Sequence, residues 1–172
     1  MAKPIPLAYL ITFTCYGTRL HGDESGSVDR NHNVPGTPFL SPNKARVLAE
    51  EKLMKQEPYV LDSQRRATVL EVLRELCSHR GWRLLAAHVR SSHVHFVVSA
   101  QAAPERVLRD VKAHASRALD RTGLDNLVRH RWTHHGSTRY LWKEEHVGAA
   151  MHYVVREQGV PMAVWENPES LY

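Results

Sequence analysis

Two histidines separated by one apolar residue, His93 and His95, stand in the segment HVRSSHVHFVVSA. In a β-strand successive side chains point to opposite faces, so both imidazoles would lie on one face. Two neutral imidazoles on one face can occupy two adjacent coordination positions of a divalent metal, leaving others for a third ligand, water and a phosphate oxygen. The spacing therefore predicts a metal site suited to phosphodiester cleavage, although one packed and one solvated histidine would give the same spacing.

The surroundings of the pair favour the metal site. The strand is otherwise apolar, and burying polar groups without partners costs a few kcal/mol. His88 lies on the preceding strand, where it could support a ligand or be purely structural. We favour the structural role for His88.

Tyr153 lies in the run EEHVGAAMHYVVREQG, which is predicted to be helical. Taken alone it would be a packed aromatic, but next to a metal a tyrosine can attack phosphorus and form a covalent phosphotyrosine. Glu157 follows four residues later on the same helical face and is a possible third metal ligand. Gln158 lies about 140° from Tyr153 around a helix, which makes it the poorer ligand unless the helix ends early. Glu144 and Glu145 are better explained as first-turn residues that complement the helix dipole.

The chain is basic, with 23 Lys and Arg against 18 Asp and Glu, which gives a formal charge of +5. Basic residues recur with aromatic residues between them, including Tyr140 and Trp142, from the second long helix onward. Cations neutralise phosphates and aromatic rings stack on unpaired bases, so this pattern predicts a single-strand groove, although a solvated basic face is an equally good explanation. The predicted DNA-binding residues are Arg106, Arg109, Lys112, Arg117, Arg131, Trp132, Arg139 and Lys143.

These residues need elements that position them, and the hydrophobic pattern supplies strands and helices in alternation. Their order predicts an α+β fold, with a ferredoxin-like (RRM-like) antiparallel sheet, helices on one face and a C-terminal helix carrying the tyrosine. The predicted strands are 7–16, 82–89, 93–99 and a short one at 139–142. The predicted helices are 42–54 with Ser41 as a possible N-cap, 62–79 with Asp62 as the cap, 104 to about 123, and 144–157.

Apolar residues make up 42% of the 172 residues, enough for one domain over residues 1–172. Polar, Gly-rich and Pro-rich stretches predict a long irregular loop at about 18–42 and an irregular tail at about 159–172. No apolar run is long enough to span a bilayer and the start lacks a signal-peptide core, so a cytoplasmic location without membrane contact is expected. Cys15 and Cys77 form no CxxC pair and are predicted to be buried thiols.

The ordered set of motifs resembles the single-tyrosine HUH transposases, which include the REP-associated tyrosine transposases and the small insertion-sequence transposases. The similarity runs from LITFTCYGTRL through SSHVHFVV, LRDVKAHASRAL and STRYLW to the helix around MHYVVREQ. The resemblance implies that His93 and His95 bind Mg²⁺ or Mn²⁺ and that Tyr153 is the nucleophile. It implies a 5′-phosphotyrosine intermediate with a free 3′-OH, and a partner that is single-stranded DNA able to form hairpins. A homodimer, with the tyrosine helix serving the other subunit, is a possibility that the family offers.

The chain departs from the family pattern at two places. The family commonly carries Asn or Gln four residues after the tyrosine, where this chain has Glu157, and the neighbouring Gln158 is the alternative ligand. Family members often have Pro-Asn before the first histidine, where this chain has Ser91 and Ser92.

Three other functions are compatible with the pattern. A ferredoxin-like sheet can bind single-stranded RNA or DNA without cleaving it, but His93 and His95 take the strand positions where such a module would expose aromatics. A domesticated transposase could keep DNA binding without transposition, and a metal-dependent hydrolase could use water instead of Tyr153. We favour the tyrosine enzyme.

Overall fold

The computed structural model describes residues 4–19, 42–126 and 128–170. These residues form a five-stranded antiparallel sheet and four helices. The strands are β1 (Ala8–Thr14), β2 (Arg83–Val89), β3 (His93–Ser99), β4 (Ser137–Leu141) and β5 (Ala163–Glu166). The helices are α1 (Lys44–Leu53), α2 (Ser63–Arg80), α3 (Pro104–Thr122) and α4 (Glu144–Arg156).

The strands lie in the order β4-β1-β3-β2-β5, so β1, β3 and β2 are central and β4 and β5 are the edges. The β2–β3 hairpin turns through residues 90–92, and its pairing shifts register between Leu84 and Ala86. Such an irregularity on one strand changes which side chains face which side of the sheet. Beyond it, His88 on β2 stands opposite His95 on β3.

Each face of the sheet is covered by its own apolar cluster. On one face, residues of α2 and α3 pack against alternate residues of the central strands, such as Phe13 and Phe96. On the opposite face, α4 packs through Val147, Met151 and Val154, which meet residues of the central strands such as Val97. The predicted α+β antiparallel fold is confirmed, and α4 lies alone on the face opposite the other two long helices.

The predicted caps of α2 are confirmed in detail. Asp62 is the N-cap, and its side chain accepts a hydrogen bond from the Arg65 backbone N–H. Gly81 closes the helix in the left-handed conformation, with φ at 68°, which glycine adopts without steric cost. The helix therefore ends where the sequence predicts, and β2 begins two residues later.

The start of the first helix and the C-terminal region differ from the prediction. The first helix begins at Lys44 with Asn43 as its N-cap, because the Asn43 side chain accepts from the Arg46 N–H. The region predicted as an irregular tail contains β5, which pairs with β2 from Ala86↔Glu166 to Val89↔Ala163. Four residues between prolines are too few for a clear alternating pattern, so this strand is set by tertiary pairing.

Ser41 and nearly all of the loop predicted at 18–42 lie outside the described residues. Cys15 and Cys77 are buried free thiols, as predicted. Within the described parts of the chain, no helix is long and apolar enough to cross a membrane.

Candidate functional site

His93 and His95 lie on the face of the sheet that α4 covers. Alternation along β3 sends Val94 and Phe96 into the opposite cluster, so both imidazoles point toward α4. Their ring centroids are 4.6 Å apart, with the ring planes at 78°. The strand therefore brings the two rings together, as the His-x-His spacing predicts.

Each imidazole is held through its Nδ1 atom. The Thr12 hydroxyl, opposite His95 on β1, lies 2.7 Å from His95 Nδ1. The Ser92 hydroxyl lies 2.9 Å from His93 Nδ1. When Nδ1–H donates to such a partner, the ring keeps the tautomer whose Nε2 lone pair can bind a metal. Both rings are thus oriented with Nε2 as the remaining donor atom.

Both histidines are held in their neutral form. Burial lowers the pKa of His93 to about 4, with further contributions from Arg19 and Arg90. Burial also lowers the pKa of His95 to about 3, helped by His93 and His88. A neutral imidazole is the form that coordinates a metal. No proton has to leave either ring before an ion binds near pH 7.

His88 is completely buried beside His95, and both of its ring nitrogens are occupied. Nδ1–H donates to the Val154 carbonyl of α4 at 3.1 Å, and Nε2 accepts from the Met162 N–H at 3.1 Å. With both nitrogens engaged, the ring has no lone pair for a metal. His88 instead joins β2 to α4 and to the segment that leads into β5, in agreement with the structural role predicted for it.

Tyr153 reaches the histidine pair from α4. Val147, Ala150, Met151 and Val154 are buried against the sheet, and their spacing fixes the rotation of the helix. The Tyr153 ring lies at the margin of that face, 40% exposed, with its centroid 5.7 Å from that of His95. The phenol is thus beside the imidazoles of its own chain and open to solvent.

Glu157 and Gln158 do not lie where helical spacing predicts. The reason is that α4 ends at Arg156, with Glu157 as its C-cap. The Glu157 carboxylate pairs with His152 Nδ1 at 2.8 Å on the exposed side. The Gln158 side chain lies near His93 and His95, and its hydrogen bonding partly opposes the lowering of their pKa values by burial. Its Nε2 donates to the Tyr153 carbonyl at 3.2 Å, which leaves the amide oxygen as a donor atom for a cation.

These residues fit a divalent ion by the chemistry of their donor atoms. Two imidazole nitrogens and one amide oxygen are neutral ligands, so they would not offset the positive charge of the ion. The ion could therefore also bind water and phosphate oxygens. No group of three or more His, Cys, Asp or Glu side chains that could hold a metal occurs within the described ranges. The candidate donor atoms at this place are therefore those of His93, His95 and the Gln158 amide.

Thr12, Ser92 and Arg19 lie at the candidate site, although the sequence pattern does not predict them there. Thr12 reaches His95 only through strand pairing across 83 residues of sequence. The positive charge of Arg19 contributes to the low pKa of both histidines. The pattern of a single strand carries no signal for such partners, except that Ser92 directly precedes His93.

Three of the predicted DNA-binding residues hold structural contacts within the fold. The Arg131 guanidinium is buried and forms ion pairs with Asp120 and Asp125, both at 2.8 Å. The Lys112 ammonium donates to backbone carbonyls of the segment before β4, and the Trp132 indole donates to the Lys112 carbonyl and the Ser116 hydroxyl. That Arg131, Lys112 and Trp132 bind DNA stays a prediction, and the polar groups of all three already have partners within the fold.

The other predicted basic residues are exposed but do not form one cluster. Arg139 lies on the edge strand β4 and pairs with Leu10, two residues before Thr12. Its side chain is therefore on the same face of the sheet as that of Thr12. Lys143 lies at the N-terminus of α4, 3.7 Å from Glu145. The exposed α3 residues are on the opposite side of the sheet from Tyr153. They are Arg106, Arg109 and Arg117.

The family described as transposase IS200 like matches residues 53–155. Comparison with curated proteins finds no match. A solved REP-associated tyrosine transposase bound to a REP hairpin shares 9% identity, with a TM-score of 0.48, over 90% of this chain and 68% of that one. A candidate transposase from Deinococcus radiodurans R1, solved at 1.90 Å, shares 12% identity, with a TM-score of 0.45, over 90% and 92% of the two chains.

The matched region begins at the end of α1 and runs through β2, β3, α3 and β4 to the penultimate residue of α4. It includes both histidines and Tyr153, and it covers more than half of the chain. The chain therefore belongs to the IS200-like transposase family.

Proposed function

We propose that this protein is a metal-dependent enzyme that nicks and rejoins single-stranded DNA through a 5′-phosphotyrosine intermediate. The observation that carries the proposal is the position of Tyr153, whose ring centroid is 5.7 Å from that of His95 in the same chain. Membership of a transposase family supports strand cleavage and transfer as the reaction class.

In the proposed reaction, the Tyr153 oxygen attacks the phosphorus of a phosphodiester. The new Tyr–O–P bond forms as the bond between phosphorus and the 3′ oxygen breaks. The proton lost by the phenol is balanced by the one that the departing 3′ oxygen takes up. Because the phosphotyrosine keeps the energy of the diester, a 3′-OH can attack it in the reverse sense and rejoin strands.

His93, His95 and Gln158 would hold the ion, which we propose to be Mg²⁺ or Mn²⁺. When bound, a divalent ion polarises the scissile phosphate and stabilises the charge that develops on its oxygens. Thr12 and Ser92 keep the two imidazoles in the required orientation through their Nδ1 atoms. Glu157, which is paired with His152, has no part in the proposed ligand set.

The proposed partner is single-stranded DNA that can fold into a hairpin. Tyr153 is 40% exposed, which leaves room for a strand to approach it from solvent. Since the tyrosine and both histidines meet within one chain, the proposed attack needs no second subunit.

The test is incubation of the protein with labelled hairpin DNA that carries single-stranded flanks, with Mg²⁺ or Mn²⁺, followed by a denaturing gel. We expect a covalent protein–DNA band that requires the metal and is absent in Tyr153→Phe and in the double variant His93→Ala/His95→Ala. Cleavage that survives Tyr153→Phe would contradict the proposal and indicate a hydrolase that uses water. Binding without cleavage across a broad set of hairpins would indicate a nucleic-acid-binding protein without this activity.

A further inference from the structure

Two large aromatic side chains stand exposed at the β4 edge of the sheet. Tyr140 is 43% exposed and Trp142 is 48% exposed. Their rings are nearly parallel, at 14°, with centroids 6.0 Å apart. We call this pair the edge aromatic pair.

The edge aromatic pair is fixed to the core on its inner side. Tyr140 pairs with Tyr9 on β1, and the two rings meet edge to face at 5.2 Å and 87°. Tyr9 is only 5% exposed and belongs to the core beneath α3. The Tyr140 ring is thus held in place, so that a flat partner stacking on the pair would lose little freedom in ordering it.

Cationic residues flank the edge aromatic pair along the chain. Arg139 precedes Tyr140, and Lys143 follows Trp142. Both side chains are exposed, and Arg139 has no ion pair within the residues that the structure describes. Exposed rings between cations match a partner with flat rings on an anionic backbone, which is the chemistry of a single-stranded nucleic acid.

The pair lies within reach of the candidate site. Ser137 on β4, Thr12 on β1 and His95 on β3 form one row across the sheet. Tyr140 lies three residues along β4 from Ser137, a distance of about 10 Å. Strand β4 lies two strand spacings from β3, which carries His95, and this is again about 10 Å. The resulting separation of roughly 14 Å lies in the plane of the sheet, so a DNA strand that crosses the β4 edge from one face to the other needs more than about four stacked nucleotides at ~3.4 Å each.

The pair and the histidines are on opposite faces of the sheet. Tyr140 packs on Tyr9 in the α3-side cluster, whereas Arg139 faces the side of Thr12 and His95. A single-stranded DNA that passes over the β4 edge would therefore contact the two rings on one face of the sheet and the guanidinium of Arg139 on the other.

We propose that Tyr140 and Trp142 form a stacking platform for an unpaired base of the DNA strand whose nearby phosphate reaches Tyr153. This inference rests on the proposed function, because it names a further part of the same DNA path. Arg139 and Lys143 contact phosphates on either side of the stacked base. Stacking on rings is tolerant of base identity, so the platform holds the strand without reading its sequence.

The test measures binding of a labelled oligothymidylate of about 16 nucleotides, the upper end of known single-strand site sizes, to the full-length protein in EDTA. We expect Trp142→Ala and Tyr140→Ala each to weaken binding about 10-fold, the loss typical of one stacked base. Trp142→Phe keeps a ring and should restore most of the affinity. Trp165→Ala is the matched control, because Trp165 lies on the opposite edge strand and packs with Arg74 instead. Thermal melts show whether each variant is folded.

The nicking assay separates this inference from the proposed function. Unchanged binding by folded Trp142→Ala and Tyr140→Ala, with nicking by the wild type, would overturn the platform alone. Binding that depends on Trp142 without any covalent adduct would support the platform and overturn the proposed chemistry. Unchanged binding together with a change in oligomeric state of Trp142→Ala would show that the pair is a contact between copies of this chain, which overturns the platform.

Discussion

Gln158 and Glu157 are neighbours in sequence but serve different partners, and only one of them faces the histidines. Gln158 interacts with both imidazoles, whereas Glu157 pairs with His152 at 2.8 Å. The difference arises because α4 ends at Arg156, so that helical geometry does not extend to these two positions. We therefore propose the Gln158 amide, and not the Glu157 carboxylate, as the third ligand.

This difference gives a prediction for metal binding. Gln158→Ala should weaken Mn²⁺ binding by about 10-fold or more, since loss of groups around a metal typically costs this much. Glu157→Ala, the matched control, should leave the affinity within about 3-fold of the wild type. Isothermal titration with Mn²⁺ measures both. Equal losses in the two variants, or a larger loss for Glu157→Ala, would show that the carboxylate is the ligand.

The basic residues show which functional side chains a sequence pattern can and cannot predict. The histidine pair and Tyr153 could be selected because their types and spacing carry chemical meaning by themselves. Charge alone indicates Arg131 as a DNA contact, yet the Arg131 guanidinium is buried in an ion pair with Asp125, six residues away. Whether a cation meets a carboxylate depends on how the intervening turn folds, and the local pattern does not contain that information.

Among the elements, α4 is held over the histidine strand by apolar packing and by one buried side chain. His88 is 0% exposed and bonds the Val154 carbonyl and the Met162 N–H. Those two groups lie on either side of Gln158 in the sequence. The hydrogen bonds of His88 thus hold in place both the helix that carries Tyr153 and the segment that follows Gln158.

Replacing His88 should therefore destabilise the fold. His88→Leu removes both hydrogen bonds, leaves the buried Val154 carbonyl without a partner at a cost of about 1–3 kcal/mol, and also removes the acceptor of the part-buried Met162 N–H. We expect the free energy of unfolding to fall by at least about 2 kcal/mol in urea titrations with an unchanged m-value. The exposed His79→Leu serves as control and should stay within about 0.5 kcal/mol of the wild type. A His88→Leu protein as stable as the wild type would contradict this role.

Most elements were predictable because their signals are local. The α2 helix carries its N-cap Asp62 and its terminal Gly81, and β2 and β3 are apolar runs joined by a short turn. The β5 strand was not predictable, because its four residues become a strand only by pairing with β2. The position of α4 on its own face of the sheet also follows from tertiary packing and has no local signature.

In the molecule as a whole, a buried ionic cluster joins α2, the end of α3 and the segment before β4. Asp125 accepts hydrogen bonds from Tyr59, Arg65 and Arg131. Burial alone would raise the pKa of Asp125, but these hydrogen bonds and the charge of Arg65 outweigh it, and the pKa is lowered. The ionised carboxylate therefore stabilises the folded state.

The sign of this shift sets a pH dependence. Since the folded-state pKa of Asp125 is below its unfolded value of about 3.9, its contribution is complete above that value and is lost as the pH falls through the folded-state pKa. Asp125→Asn should destabilise the protein by about 3 kcal/mol near pH 7, because it removes the buried negative charge that Arg65 and Arg131 share. Urea titrations below pH 4 should show a smaller penalty. A penalty that does not change with pH would contradict the assigned ionisation.

The arrangement of the site also predicts how subunits behave. Tyr153 and His95 meet within one chain, so each molecule should carry a complete site. A mixture of Tyr153→Phe with the double variant His93→Ala/His95→Ala should therefore remain inactive in the nicking assay. Recovery of nicking in the mixture would show instead that the tyrosine of one subunit serves the histidines of another.

We propose above all that Tyr153 becomes joined to DNA at the candidate site of His93, His95 and Gln158. The most direct measurement is peptide mass spectrometry on the protein after reaction with a hairpin oligonucleotide and nuclease trimming. We predict a nucleotide adduct on Tyr153 that appears only with Mg²⁺ or Mn²⁺ and is lost in His93→Ala/His95→Ala. An adduct on another residue, or efficient nicking with no adduct, would contradict the account.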